Sequence, residues 1–221
     1  MGVNQGTIYT APNDKNVPGF RFVIKQKGLV DYYPTWQAMK DFTDTRTPQT
    51  CDEIWLLQHP AVYTQGVAGR PEHLLIENDI AVIKTDRGGQ ITYHGAGQLI
   101  AYLLLDIRRL KLGVRELVRR MENAVINLLD EYRVKAHGRT SAPGVYVDTA
   151  KIASLGLKIK KNFCYHGIAL NVDMDLRPFS AINPCGYAGM RVTQTKDQGI
   201  TDGLEVLSLK LADYLQNELT H

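Results

Sequence analysis

Residues 151–159 read Lys-Ile-Ala-Ser-Leu-Gly-Leu-Lys-Ile, an alternation typical of a β-strand. Residues 145–147 and 165–172 have a similar pattern, and only short breaks separate the three stretches. Consecutive strands with short connections favour antiparallel pairing. This part of the chain therefore predicts antiparallel β-sheet.

Helical patterns stand between further strand-like stretches. Helices are predicted over residues 33–44, with Trp36, Met39 and Phe42 on one face, and over residues 114–133. Thr201 and Asp202 are suited to cap a third helix that runs to about residue 218. The remaining predicted strands are residues 20–25, 52–59, 81–85 and 98–106, the last two as core strands. This pattern predicts an α/β (α+β) fold with a mixed, partly antiparallel sheet flanked by helices.

Length and composition predict a single catalytic domain. The chain has 221 residues, 44% of them hydrophobic, and no linker-like stretch divides residues 1–221, although residues 1–20 are polar and expected to be loose. Lysine plus arginine exceeds aspartate plus glutamate only by 26 to 23, which does not indicate nucleic acid as a partner. No signal-peptide pattern and no apolar run of about 18 residues is present, so we expect no membrane partner and a cytoplasmic location.

Basic residues are clustered in two places. Either cluster is a docking surface for an acidic protein or an ordinary solvated face. The first cluster lies at the entry of the middle helix and the second at the end of a strand: Arg108, Arg109, Lys111, Arg115, Arg119 and Arg120, then Lys158, Lys160 and Lys161.

The three cysteines, Cys51, Cys164 and Cys185, are odd in number and widely spaced. This spacing supports neither a disulfide framework nor a zinc cage. Cys164 and His166 offer two ligands from one strand, which is too few for a metal site. No metal is therefore predicted.

Lys151 lies at an unusual place in its strand. Simple alternation puts it on the same side as Ala153 and Leu155, which is the apolar side. Burying an ammonium is costly, so such a lysine either finds a partner or loses its proton near neutral pH and acts as a base. The alternative is a structural lysine that reaches water from the strand end or pairs with a carboxylate.

Cys185 stands among small, turn-forming residues. Pro184 restricts the backbone before it, and Gly186 and Gly189 leave the backbone after it open to a substrate. Free cysteines are more often small core residues than nucleophiles. If Cys185 and Lys151 meet, however, the pair supplies a nucleophile and a proton shuttle, which suggests acyl transfer.

Residues 86–98 form a glycine-rich segment with four glycines between strand-like stretches. It lacks the Gly-Lys-Ser/Thr of a Walker loop, and no helix follows as in a Rossmann motif. Arg87 is suited to bind a phosphate or carboxylate, and His94 to polarise a carbonyl or orient a lysine. The alternative is a hairpin that needs glycine for its turn and in which His94 is only structural.

Four motifs in this order closely resemble the octanoyltransferase family of lipoate biosynthesis. They are residues 87–98 (Arg-Gly-Gly-Gln-Ile-Thr-Tyr-His-Gly-Ala-Gly-Gln), 151–156 (Lys-Ile-Ala-Ser-Leu-Gly), 166–171 (His-Gly-Ile-Ala-Leu-Asn) and 183–186 (Asn-Pro-Cys-Gly). The resemblance covers about residues 20–195. Ala96 departs from it, because the family usually has proline there, which affects the rigidity of the loop.

The resemblance implies a fold similar to the biotin and lipoate protein ligase catalytic domains. It implies transfer of an octanoyl group from octanoyl-acyl carrier protein to a lysine of lipoyl domains, those of 2-oxoacid dehydrogenases and the glycine cleavage H protein. Cys185 would form an acyl-enzyme thioester, Lys151 would be the acid/base, and no cofactor would be needed. The matching substrate-binding residues are Arg87, Gly88, Gly89, Gln90, Ile91, Thr92, Tyr93, His94, Ser154, Leu155, Gly156, Gly167, Ile168 and Ala169.

Other functions stay open at this point. An ATP-dependent lipoate or biotin protein ligase would keep the fold and leave Cys185 dispensable. A cysteine–histidine hydrolase would use Cys185 with His94 or His166. A non-catalytic acyl- or cofactor-binding module would need neither residue for turnover.

Overall fold

The computed structural model describes residues 8–9, 22–183 and 189–220. Its strands are β1 (Ile8–Tyr9), β2 (Phe22–Leu29), β3 (Asp52–Gln58), β4 (Val62–Gln65), β5 (Val82–Lys84), β6 (Ile91–His94), β7 (Gln98–Asp106), β8 (His137–Gly138), β9 (Gly144–Val147), β10 (Ala150–Lys160) and β11 (Phe163–Asn171). The helices are α1 (Tyr32–Thr45), α2 (Val114–Glu131) and α3 (Leu204–Thr220), with short 3₁₀ helices at Pro71–His73, Arg177–Ala181 and Lys196–Gln198.

Eight strands form the main sheet in the order β1-β2-β3-β7-β11-β10-β9-β8. Only β2 and β3 are parallel, and every other neighbouring pair is antiparallel. The predicted mixed, partly antiparallel sheet is therefore confirmed. A second sheet has the order β5-β4-β6.

The central strand β7 shows why the sheet needs helices on both faces. All of its residues are buried, and successive side chains point to opposite faces. Leu99, Leu103 and Leu105 join the core under α2 and α3, whereas Ile100 and Leu104 join a second core under α1. A strand that is buried on both faces has a continuous apolar sequence, as residues 99–105 have.

The predicted helices agree with the structure to within about two residues, except that α3 begins at Leu204. Trp36, Met39 and Phe42 of α1 face one core, as predicted. The prediction of residues 81–85 as a core strand is wrong. That segment forms β5, which lies at an edge of the small sheet and leaves Val82 exposed, so its side chains are not covered on two faces.

Within the described ranges, no helix is both long enough and apolar enough to cross a membrane.

Candidate active site

A pocket opens on the α1 side of the sheet, with about 540 Å³ of empty space that is continuous with solvent. All the predicted substrate-binding residues line it except Gly88 and Tyr93. Tyr93 is buried in a third apolar cluster with Tyr63 and Phe179. The glycine-rich segment and the two later motifs thus meet around one space, while their role in binding stays a prediction.

The register of β10 and β11 brings two of these motifs together. Ser154 pairs with Ala169, and Gly156 pairs with Gly167, so residues 154–156 and 167–169 lie side by side in the pocket wall. A Cβ on Gly167 would come within 2.0 Å of the Ala101 carbonyl oxygen. Only glycine permits β11 to approach β7 this closely.

Arg87 holds the glycine-rich segment in place. Its guanidinium is buried and donates to the Thr64 carbonyl at 2.6 Å, the Gln90 carbonyl at 2.8 Å and the Gly88 carbonyl at 2.8 Å. It also donates to the Thr64 hydroxyl at 2.9 Å. These contacts assign Arg87 to shaping the pocket wall, and its contact with a phosphate or carboxylate stays a prediction.

His94 belongs to a continuous chain of hydrogen bonds. Because Gln98 Oε1 only accepts, the 2.7 Å contact makes His94 Nδ1 the donor, and Nε2 accepts from the Thr64 hydroxyl at 3.2 Å. Gln98 Nε2 donates to Asn171 Oδ1 at 2.9 Å, and Asn171 Nδ2 donates to the Thr193 carbonyl at 2.9 Å. Both ring nitrogens of His94 are occupied, so this imidazole does not stand ready to accept a thiol proton.

Sequence analysis missed several residues of the pocket. Tyr32, Ile100 and Tyr102 line it, and His59 lies behind Tyr102. His59 Nδ1 contacts the Val30 carbonyl at 2.6 Å, and Nε2 contacts the Tyr102 hydroxyl at 2.8 Å. These residues come from α1, β7 and the end of β3, whose patterns indicated only core packing. Polar and aromatic residues next to each other in these apolar stretches could have indicated that they line a pocket.

Burial keeps the three histidines of this region neutral. Desolvation lowers the pKa of His94 to about 3, helped by nearby His59, and lowers that of His59 to about 4. Desolvation also lowers the pKa of His166, although its hydrogen bond to Asp86 opposes the shift. The pocket wall is therefore polar without carrying histidine charge at neutral pH.

Asp86 holds His166, a residue of the pocket wall, in place. Its carboxylate accepts hydrogen bonds from His166 Nε2 at 3.0 Å, Trp36 Nε1 at 2.9 Å and the Tyr165 hydroxyl. Burial alone would raise the pKa of Asp86, but these hydrogen bonds outweigh burial and hold it well below its usual range. Asp86 thus ties α1 to β11 as a carboxylate.

A β-bulge decides where Lys151 points. The pairing of β10 with β9 shifts between Lys151 and Ala153, so Ile152 is an extra residue. Lys151 pairs with Tyr146 and Ser154 pairs with Gly144. Because Gly144 and Tyr146 share one face of β9, Lys151 lies on the face of Ser154. The prediction that it shares the face of Ala153 and Leu155 is wrong, although its burial, with 2% exposed, is confirmed.

The Lys151 side chain fills a space left by Gly144. A Cβ on Gly144 would lie 2.3 Å from Lys151 Cε and 2.9 Å from Nζ. Nζ donates to the Pro143 carbonyl at 3.0 Å and lies 5.5 Å from the centre of the Tyr146 ring. The alternative in which Lys151 extends to water is thereby excluded.

Cys185 lies outside the described residues, but both flanks of its segment are described. On one side, the Asn183 amide donates to the His73 carbonyl at 2.9 Å. On the other, the Lys151 amide donates to the Arg191 carbonyl at 2.8 Å and the Thr193 amide donates to the Lys151 carbonyl at 3.0 Å. The chain that follows Cys185 is therefore attached directly to the backbone of Lys151.

Of the other two cysteines, Cys164 does not resemble a nucleophile. Cys164 is buried, its thiol contacts the Leu103 carbonyl at 3.2 Å, and burial raises its pKa to about 12. Cys51 is exposed. Among the described residues, no group of histidine, cysteine or carboxylate side chains is arranged to hold a metal.

Much of the first basic cluster is used within the protein. Arg109 pairs with Asp52 at 3.3 Å, and Arg119 and Arg120 both pair with Glu116. In the second cluster, Lys160 pairs with Asp44 at 2.6 Å. These pairs favour the solvated-face interpretation for the residues concerned.

Comparison with known proteins identifies the class to which this fold and pocket belong. The model of the lipoyl protein ligase A/B catalytic domain matches residues 31–210. The chain belongs to this family of catalytic domains. Within it, the resemblance to octanoyltransferases is confirmed by curated relatives with that name. The octanoyltransferase of Nitrosomonas eutropha is 65% identical over 202 residues, which are 91% of this chain and 90% of that protein. The octanoyltransferase of Nitrosospira multiformis is 69% identical over 196 residues, covering 89% and 91%.

Solved structures confirm the predicted fold. A lipoate-protein ligase A bound with ATP has a TM-score of 0.72 at 16% identity, over 90% of this chain and 85% of that one. The biotin protein ligase of Aquifex aeolicus in complex with biotin and ATP has a TM-score of 0.55 at 14% identity, over 90% and 69%. At these identities the likeness concerns the fold alone.

Proposed function

We propose that this protein transfers an octanoyl group from octanoyl-acyl carrier protein to a lysine of a lipoyl domain. The observation that carries the proposal is 65% identity with an octanoyltransferase over nine-tenths of both chains. The acceptors are the lipoyl domains of 2-oxoacid dehydrogenases and the glycine cleavage H protein. We also keep the single domain over residues 1–221 and the cytoplasmic location as predictions.

The pocket has the character that an octanoyl chain requires. Apolar residues from four strands line it, namely Ile91, Ile100, Leu155 and Ile168. Each methylene that leaves water contributes about 0.8 kcal/mol to binding. The histidines of the wall are neutral, and the guanidinium of Arg87 is hydrogen-bonded within the wall. The acyl chain would therefore not lie beside a charged histidine.

We assign the nucleophile to Cys185 and the proton transfers to Lys151. The Cys185 sulfur attacks the thioester carbonyl, its proton passes to Lys151 Nζ, and the carrier thiolate leaves and takes that proton. The product is an acyl-enzyme thioester, so one thioester replaces another. The amine of the target lysine then attacks this thioester, loses a proton to Lys151 and forms the amide, and Cys185 leaves as a thiolate that recovers the proton.

Two structural features support this assignment. The Lys151 amine is buried on the same face of β10 as Ser154, which lines the pocket. Furthermore, the chain after Cys185 is hydrogen-bonded to the Lys151 backbone through Arg191 and Thr193. A nucleophile and a proton shuttle need such a fixed relationship to act in sequence.

A transfer assay without nucleotide tests the proposal. Purified protein, octanoyl-acyl carrier protein and a lipoyl domain are mixed, and octanoylation of the target lysine is measured by mass spectrometry. We expect full modification of the lipoyl domain with no ATP present. Modification only with free octanoate and ATP would instead establish a ligase, and binding without modification would establish a binding module.

A further inference from the structure

Glu122 of α2 reaches the strand that surrounds Lys151. Its Oε1 accepts a hydrogen bond from the Gly144 amide at 2.9 Å. A Cβ on Gly138 would lie 2.8 Å from Oε2, so the carboxylate lies close against the backbone of β8. The carboxylate therefore fixes the backbone at the point where β9 begins.

The same backbone holds the amine of Lys151. Lys151 Nζ donates to the carbonyl of Pro143, the residue directly before Gly144, at 3.0 Å. The peptide between these two residues thus presents its carbonyl to Lys151 and its amide to Glu122. A movement of Glu122 would move the acceptor of the Lys151 hydrogen bond.

Glu122 also acts on Lys151 through its charge. The pKa of Glu122 is raised by burial, while the Gly144 amide and the positive charge of Lys151 oppose that shift. Tyr146 also faces Lys151, and its hydroxyl donates to the Ala142 carbonyl at 2.8 Å. Arg139 lies over the same ring at 4.1 Å and His137 stacks on it at 6.0 Å.

We propose that Glu122 is a positioning residue for Lys151: it accepts a hydrogen bond from the Gly144 amide and so fixes the Pro143–Gly144 peptide, whose carbonyl binds the amine. This inference rests on the proposed function, because it assigns a partner to the proposed acid/base. It explains why a half-buried glutamate of α2 extends toward β8 and β9.

Two variants of Glu122 test this role. The amide oxygen of Glu122→Gln still accepts the Gly144 hydrogen bond, so transfer should stay near the wild-type rate. Glu122→Ala loses the hydrogen bond and should lower kcat about tenfold while KM for octanoyl-acyl carrier protein stays unchanged.

Asp130→Asn is the matched control. It removes an exposed carboxylate from the same helix, so neither kcat nor KM should change. An unchanged kcat in Glu122→Ala would overturn the proposal. So would an equal loss of kcat in Glu122→Gln and Glu122→Ala that is accompanied by a lower melting temperature, since that pattern indicates only a structural role.

A second readout keeps this test independent of turnover. Protein labelled with ¹³C at lysine Cε is measured by NMR at one pH, and the Lys151 signal is identified by its absence from Lys151→Ala. Glu122→Ala should change the chemical shift of this signal, and Glu122→Gln and Asp130→Asn should not. If the wild type transfers octanoyl groups but the signal of Glu122→Ala is unchanged, Glu122 alone is wrongly assigned. If the signal changes but the wild type transfers nothing, the proposed function fails while the positioning by Glu122 stands.

Discussion

The side chain of Lys151 occupies the space that a side chain at Gly144 would need. A Cβ there would lie 2.3 Å from Lys151 Cε and 2.8 Å from the Ala153 carbonyl oxygen. The φ angle of Gly144 is 149°, which residues with a side chain rarely adopt. Glycine at position 144 and lysine at position 151 therefore depend on each other.

Gly144→Ala should displace the Lys151 amine from the Pro143 carbonyl. We expect octanoyl transfer to fall about 100-fold, because a displacement of about 1 Å at a catalytic group has this effect. The measurement is single-turnover transfer together with thermal unfolding. Gly203→Ala is the control, since no atom lies within 4 Å of the added Cβ, and it should leave transfer unchanged. Transfer at the wild-type rate by Gly144→Ala would contradict the placement of the amine.

Asn171→Asp should break the hydrogen-bond chain that joins His94 to Thr193. A carboxylate oxygen would replace the Nδ2 donor and face the Thr193 carbonyl, which repels it. We expect a loss of about 2–3 kcal/mol in the free energy of unfolding and slower transfer, because Thr193 is hydrogen-bonded to Lys151. Chemical denaturation and transfer assays measure the two effects. Asn217→Asp, an exposed site on α3, should show neither, and equal behaviour of the two variants would refute the role of this chain.

Arg87→Lys should not preserve the glycine-rich segment. A lysine has no planar fork and cannot reach the Thr64, Gln90 and Gly88 carbonyls together. We expect a loss of about 3 kcal/mol of stability and a raised KM for octanoyl-acyl carrier protein, measured by denaturation and by steady-state transfer. Arg70→Lys, which changes a mostly exposed arginine, is the control. A direct contact of Arg87 with the donor would instead raise KM without affecting stability.

The neutral histidines predict acid sensitivity. The folded-state pKa values of His94, about 3, and His59, about 4, are lower than the value of 6.5 for an exposed histidine. The unfolded chain therefore binds more protons below pH 6.5. Above pH 6.5 both states bind no proton at these histidines, and the free energy of unfolding is not reduced. As the pH falls toward 4 and then 3, each histidine lowers the free energy of unfolding by about 1.4 kcal/mol per pH unit.

Denaturation between pH 7.5 and 4 measures this slope. His94→Gln should reduce the number of protons taken up on unfolding by about one, which makes the free energy of unfolding less dependent on pH. His137→Gln, at an exposed site, should leave this dependence unchanged. A free energy of unfolding that is constant from pH 6.5 to pH 4 would show that these histidines are not buried as neutral groups.

Much of the fold was predictable because its signals are local. The apolar face of Trp36, Met39 and Phe42 defined α1, and the uniform run 98–106 defined β7. The edge position of β5 was not predictable, since only its pairing with β4 leaves Val82 exposed.

The bulge before Ala153 shows a second limit of sequence reasoning. Alternation places Lys151 with Ala153, but one extra residue in the pairing with β9 moves it to the other face. The pocket motifs were found from the family pattern, whereas His59 and Tyr102 were missed because their contact joins residues 43 positions apart. Such pairs depend on the register of β3 and β7, which single residues do not specify.

The proposed mechanism requires that Cys185 carries the octanoyl group as a thioester. Intact-protein mass spectrometry detects this acyl-enzyme. Wild type, Cys185→Ser and the control Cys51→Ser are incubated with octanoyl-acyl carrier protein and no ATP. We predict a gain of about 126 Da, one octanoyl group, that hydroxylamine removes and that is absent only from Cys185→Ser. An adduct that persists in Cys185→Ser, or that forms only with free octanoate and ATP, would contradict the account.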